Sequence, residues 1–161
     1  MFEARITKYD PRLRDADGRY TAEDWTMFSH VGNACSGSVR TPDSHAAVAN
    51  AHVESALARL LESDIHSLTV LGLENPNGYA QAPTEGESLG HGQIAATLRG
   101  LLRDEYWCRL ETANASIHIG YDYYMYIAVP GDCPAATATT TALGLFVEPM
   151  ESPYEPSDAD L

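Results

Sequence analysis

Across residues 106–129 apolar side chains recur at every second position, interrupted by a two-residue break at Ala113-Asn114. Period two over that length is the pattern of strands whose side chains alternate between two faces, and a tight turn between two such runs makes a hairpin. The pattern predicts a meander of three strands at 106–112, 116–120 and 121–129. Alternation then sorts the side chains. Cys108, Leu110, Ile117, Ile119, Tyr121, Tyr123, Met125, Ile127 and Val129 belong to the face that meets a core. The opposite face would carry Trp107, Arg109, Glu111, Ser116, His118, Asp122, Tyr124 and Tyr126, with Asp104 and Glu105 close by. Aromatic anchors among charged groups are the composition of a recognition surface.

A sheet with one apolar face needs a second layer, and two segments have the helical period to supply it. Val53, Ala56, Leu57, Leu60 and Leu61 form one stripe, predicting a helix over about 46–62 that Asp43 or Ser44 would cap. Ile94, Leu98, Leu101 and Leu102 form another, predicting a helix over about 93–105. Short strands are expected at 4–8, 67–73 and 145–148, and a short helix within 132–143 between Pro134 and Gly144. The segments 29–44 and 74–90 read as loops, the second Gly/Pro/Glu-rich and long enough to be functional or mobile. The expected fold is α+β, with two main helices packed on one side of a mainly antiparallel sheet of about four to six strands. Strand order is not readable from such patterns.

With 161 residues, 44% of them hydrophobic, the chain suits a single core over 1–148. Residues 149–161 hold three prolines, four carboxylates and no base, which reads as an acidic tail. Ten Lys and Arg oppose 23 Asp and Glu, for a formal charge of −13, and the whole imbalance falls after Arg40. Such a charge repels nucleic acid and anionic membrane. No apolar run approaches the roughly 18 residues that span a bilayer, and the opening MFEARITKYD lacks a signal peptide's apolar core, so a cytoplasmic protein is expected. Lys8 is the one lysine, and arginine is the cation suited to fixed bidentate pairs.

Motifs for chemistry are sparse. Cys35, Cys108 and Cys133 have neither disulfide nor zinc spacing and read as reduced thiols. Asp15-Ala16-Asp17-Gly18 lacks the first ligand and the closing glutamate of a calcium loop and reads as a turn. His45 and His52 could share a helix face, but His30, His66 and His91 add no metal spacing, and Gly90-His91-Gly92 lacks a phosphate-loop lysine. No catalytic residue, metal or cofactor is therefore expected. The expected partner-binding residues are Trp107, Arg109, Glu111, His118, Asp122, Tyr124 and Tyr126, with Glu85 and Glu87 of the 74–90 loop adding acidic contacts.

The stretch ITKYDPRLRDADGRYTAEDWT, the pair RLE and IHIGYDYYMYI, and LGLFVE followed by SPY resemble a family of small acidic bacterial proteins. Chains of this type are similar to the immunity proteins of polymorphic-toxin and contact-dependent inhibition systems. That resemblance implies a cytosolic inhibitor of a cognate toxin, often a nuclease, and carries over no catalytic residue. An acidic surface complements the basic cleft of such a toxin. Two other readings stand beside it. One is an enzyme or small-ligand domain using Arg109, Glu111, His118 and Asp122; the other is a scaffold whose tyrosine face closes a homodimer.

Overall fold

A computed structural model of the protein describes residues 1–22, 24, 31–35, 38–39, 41–120 and 123–154. In chain order the elements are β1 (Phe2–Thr7), a 3₁₀ turn (Pro11–Leu13), β2 (Ala34–Cys35), β3 (Ser38–Val39), α1 (Pro42–Glu62), β4 (Ser67–Glu74) and β5 (Ser88–Gly90). They continue with α2 (His91–Leu102), β6 (Trp107–Thr112), β7 (Ala115–Ile119), β8 (Met125–Val129), α3 (Pro134–Ala142) and β9 (Phe146–Pro149). The α+β class holds, but the main sheet has seven strands in the order β5-β4-β6-β7-β8-β1-β9, and three helices accompany it. Every pairing in that sheet is antiparallel. The added strand β5 lies inside the expected 74–90 loop, and β2 and β3 form a separate two-stranded ribbon.

Local chemistry explains the shifted boundaries. Proline at the first helical position has no N–H to satisfy, so α1 starts at Pro42 and its cap is Thr41, whose Oγ1 accepts from Ser44 N at 3.1 Å. α2 stops at Leu102 because Asp104 turns left-handed at φ +56° and Glu105 N returns to Gly100 O at 3.1 Å. β8 begins at Met125, four residues later than expected, because Tyr123 also stands left-handed at φ +59° and breaks the strand.

The 74–90 loop is built rather than loose. β4 bulges at Gly72, φ +65°, which leaves two ladder N–H groups unpaired by β6. Glu85 accepts from both of them, Gly72 N at 3.0 Å and Leu73 N at 2.7 Å. Glu87 accepts from Thr84 N at 2.8 Å. Both carboxylates expected to contact a partner are thus engaged within the chain.

The core lies between the sheet and α1 and α2, where Val53, Leu60, Ile94, Leu98, Leu110, Ile117 and Ile127 are all buried. Alternation sorted Cys108, Leu110, Ile117, Ile119, Met125, Ile127 and Val129 correctly, and Tyr123, 3% exposed, belongs to the core side, while Tyr121 lies outside the described residues. α3 packs against α1, where Ser55 and Thr140 hydroxyls share a hydrogen bond. Arg59 of α1 is fully buried near them: Nη2 donates to Thr137 Oγ1 at 2.9 Å, while Nε and Nη1 find no hydrogen-bond partner among the described residues. Burial pushes its pKa down against the pull of Cys133, Glu62 and Asp132. Replacing a buried, under-satisfied charge with an apolar side chain of similar size is often neutral or stabilising. Arg59→Met is therefore expected to keep or raise the thermal midpoint, and a drop of several degrees in a melt would show that the guanidinium stabilises the fold.

Candidate functional site: the outer face of the sheet

With α1, α2 and α3 packed on the other side, no α-helix among the described residues covers the outer face of the sheet. Strand register draws its side chains into rows. Leu71, Arg109, His118, Tyr126, Arg5 and Glu148 stand side by side across β4, β6, β7, β8, β1 and β9. Thr69, Glu111, Ser116, Ala128 and Glu3 make the next row. Opposite charges on neighbouring strands are close enough to pair.

Two polar clusters result. In the first, Glu148 receives Arg5 Nε at 2.8 Å on one oxygen and Arg14 Nε at 3.1 Å on the other, while Arg14 Nη1 donates to Tyr124 OH at 3.0 Å. The Arg5 guanidinium also lies 4.3 Å from the Tyr124 ring centroid. In the second, Glu111 Oε1 accepts from Arg109 Nη1 at 3.0 Å and from His118 Nε2 at 2.7 Å. His118 is 3% exposed, and burial lowers its pKa against the pull of Glu111. The ring is therefore neutral at pH 7, and since a carboxylate can only accept, its proton sits on Nε2. Nδ1 is left to accept from the Ser152 hydroxyl at 2.7 Å.

Ser152 belongs to a short strap, residues 150–154, which recrosses the sheet directly after β9. Met150 N donates to Glu3 O at 3.2 Å, and Tyr154 N donates to Ser152 Oγ at 3.1 Å. The Tyr154 ring packs against Trp107, His118 and Tyr126, with centroids 5.7, 6.0 and 6.1 Å away. Its seat is Gly120, where an added Cβ would stand 3.1 Å from Tyr154 OH.

The strap changes the standing of the expected partner-binding residues. Arg109 (6% exposed), His118 and Tyr126 (8%) are covered by the chain itself. Trp107, Glu111 and Tyr124 keep partial exposure, and Trp107 Nε1 donates to Ile119 O at 2.9 Å. Asp122 lies outside the described residues. Ser152 and Tyr154 stand in the SPY of the family resemblance but were not expected at the site, because proline and acid content marked their segment as a tail. The one sequence signal was a glycine at the end of β7, a place where another group can approach the backbone closely.

Tyr154 also separates two clefts. One, of about 430 Å³, is bordered by Glu3, Glu111, Ser116, His118, Tyr126 and Ser152 among others. The other, of about 450 Å³, lies where α2 hands over to β6 and is bordered by Glu74, Asn77, Asp104, Glu105, Trp107 and Tyr154 among others. Glu105 pairs with Arg103 Nε at 2.7 Å. The Glu74 and Asp104 carboxylates make no hydrogen bond or ion pair among the described residues, and partial burial raises the pKa of Asp104. Two free carboxylates beside an indole and a phenol suit a cation, through Coulomb attraction and through the ring faces.

The remaining candidates have structural roles. The Asp15 carboxylate accepts from Asp17 N and Arg19 N, both at 2.9 Å, in a turn closed by Gly18. His45 Nδ1 lies 2.7 Å from Tyr123 OH, and His52 bridges Val48 O and Tyr123 O at 2.8 and 3.1 Å. Cys108 and Cys133 are free and buried, with the Cys108 thiol pushed up to about 12 by burial. Among the described residues no helix is long and apolar enough to cross a membrane. The chain matches no family model, no curated protein and no solved structure.

Proposed function

We propose that this protein is an immunity-type inhibitor that binds and neutralises a basic toxin in the bacterial cytoplasm, with the Glu74/Asp104 cleft seating a cationic side chain of the toxin. The observation that carries the reading is the pair of carboxylates beside Trp107 and Tyr154 that make no hydrogen bond or ion pair among the described residues. The distribution of the other charges supports it. Arg5, Arg12, Arg14, Arg103 and Arg109 are each paired with a carboxylate of the chain, and Lys8 with Asp24. Six of the ten cations are thus engaged with carboxylates of the chain, which carries a net charge of −13. A field of that sign accelerates encounter with a basic surface, while the partly desolvated cleft supplies the close contact that slows release.

The test is capture on the tagged protein from a lysate of its own source at low salt, then co-expression of the captured protein with and without the inhibitor. One basic protein should be retained, weakened by salt, and toxic only when the inhibitor is absent. The double reversal Glu74→Arg with Asp104→Arg should weaken that complex about 100-fold or more, since each change places like charges in contact. Affinity untouched by the double reversal would remove the cleft from the interface. A captured protein that is harmless without the inhibitor would end the immunity reading.

A further inference from the structure

The second cleft carries a different chemistry, independent of any toxin. We infer that Ser152, His118 and Glu111 form a working relay that makes the Ser152 hydroxyl a nucleophile toward a small carboxylic ester held in the 430 Å³ cleft.

The parts a nucleophilic serine needs stand in sequence. A hydroxyl is a weak nucleophile until a base within hydrogen-bond reach takes its proton, and the base works when a third group fixes its tautomer and stabilises the cation that forms. Ser152 Oγ and His118 Nδ1 are 2.7 Å apart. On the other side of the ring, Nε2 and Glu111 Oε1 are also 2.7 Å apart. Arg109 Nη1 holds that same carboxylate oxygen at 3.0 Å. Burial keeps the imidazole neutral at pH 7, so the base begins with its lone pair free. The Tyr154 N–H, 3.1 Å from Ser152 Oγ, fixes the position of the oxygen. All three relay residues border the cleft, and Ser152 is partly exposed.

The step balances with water as the only co-reactant. Ser152 Oγ attacks the ester carbonyl carbon as its proton passes to His118 Nδ1. The bond from that carbon to the alkoxy oxygen breaks, and the alcohol leaves with the proton from Nδ1. An acyl ester of Ser152 remains. Water, deprotonated by the same nitrogen, attacks the acyl carbon and releases the carboxylic acid with the hydroxyl restored. Glu3, Glu111 and Glu151 line the cleft, so a neutral or cationic ester is favoured over an anionic one.

An alkyl fluorophosphonate tests this directly, because it reacts with activated serines by the same attack and loses fluoride. Intact mass and peptide mapping should find one adduct per chain, on Ser152. The rate should level off above about pH 6.5 and fall in acid as His118 protonates. Ser152→Ala should abolish the adduct. His118→Gln should slow it by about 100-fold or more, with a melting curve confirming that the variant is folded. Glu111→Gln, which keeps the shape and removes the charge, should slow it less. No adduct on the folded protein, an adduct on another residue, or labelling as fast in folded His118→Gln as in the parent would each overturn the relay. p-Nitrophenyl acetate then reports turnover: a Ser152-dependent release of nitrophenol beyond one equivalent is expected, and release that stops at one equivalent would overturn the water step.

Discussion

Gly100→Ala is expected to destabilise the protein by about 1–3 kcal/mol and to lower its thermal midpoint by about 2–12 °C. Helix propensity alone predicts the opposite sign, because alanine in a helix interior is worth about 1 kcal/mol over glycine. The packing decides it. A Cβ at Gly100 would stand 2.5 Å from Tyr106 Cζ and 2.7 Å from Cε1, overlapping a ring that is 6% exposed. The ring cannot withdraw without giving up the bond from its hydroxyl to Thr97 O at 3.3 Å. Tyr106 starts the path from α2 into β6, so the strain falls where the helix layer joins the sheet. Thermal melts of Gly100→Ala, Tyr106→Leu and the double variant measure the coupling. The double variant should lose clearly less than the sum of the singles, and simple additivity would mean the overlap is relieved some other way.

Stability is also expected to fall as pH drops from about 7.5 to about 5. Burial is the main cause of lowered pKa at His45, His52 and His118; Arg103 and His52 add to the effect at His45, and Lys8 at His52. Each ring therefore binds its proton more weakly when folded than at the ordinary value near 6.5. Below that value the unfolded chain holds more protons than the native one, so acid pulls the equilibrium toward unfolding until the folded pKa is passed. Where the unfolded ring is charged and the folded one is not, the slope is about 1.4 kcal/mol per pH unit for each ring. His52 is fully buried and serves two carbonyls, of which a neutral ring can donate to one. Urea melts across the range should show the loss, and His52→Gln should be less stable at pH 7.5 yet lose less on acidification. Equal pH slopes in parent and variant would show that the His52 proton is not released on folding.

The strands and helices that follow from side-chain periodicity were readable, because period and apolar stripe are local properties. Cys108, Leu110, Ile117 and Ile119 declared the core face of β6 and β7, and Ile94, Leu98 and Leu101 declared the buried side of α2. Boundaries moved where single backbone conformations overrode the pattern, at Asp104 and Tyr123. The site was harder. Arg5, Tyr126 and Glu148 are neighbours only because β1 inserts between β8 and β9, a pairing no local pattern encodes. The strap depends on Tyr154 finding the bare backbone of Gly120, 34 positions away, a fit of shape rather than of composition. Proline and carboxylate content reads 149–161 as an acidic tail, yet one tyrosine and one serine suffice to hold residues 150–154 against the sheet.

The place of β1 in the sheet has a consequence for how the protein folds. β1 finds both of its neighbours in the sheet, β8 and β9, far along the chain, among residues 125–149. Until those residues are in place, β1 has no hydrogen-bonded partner and Ala4 and Ile6 have no sheet to be buried in. Closing so long a span costs chain entropy before any contact repays it, so the docking of β1 is a slow step of folding. Arg5 meets Glu148 only once β1 has docked beside β9. The Arg5, Arg14 and Glu148 cluster therefore assembles in one event, with the docking of β1.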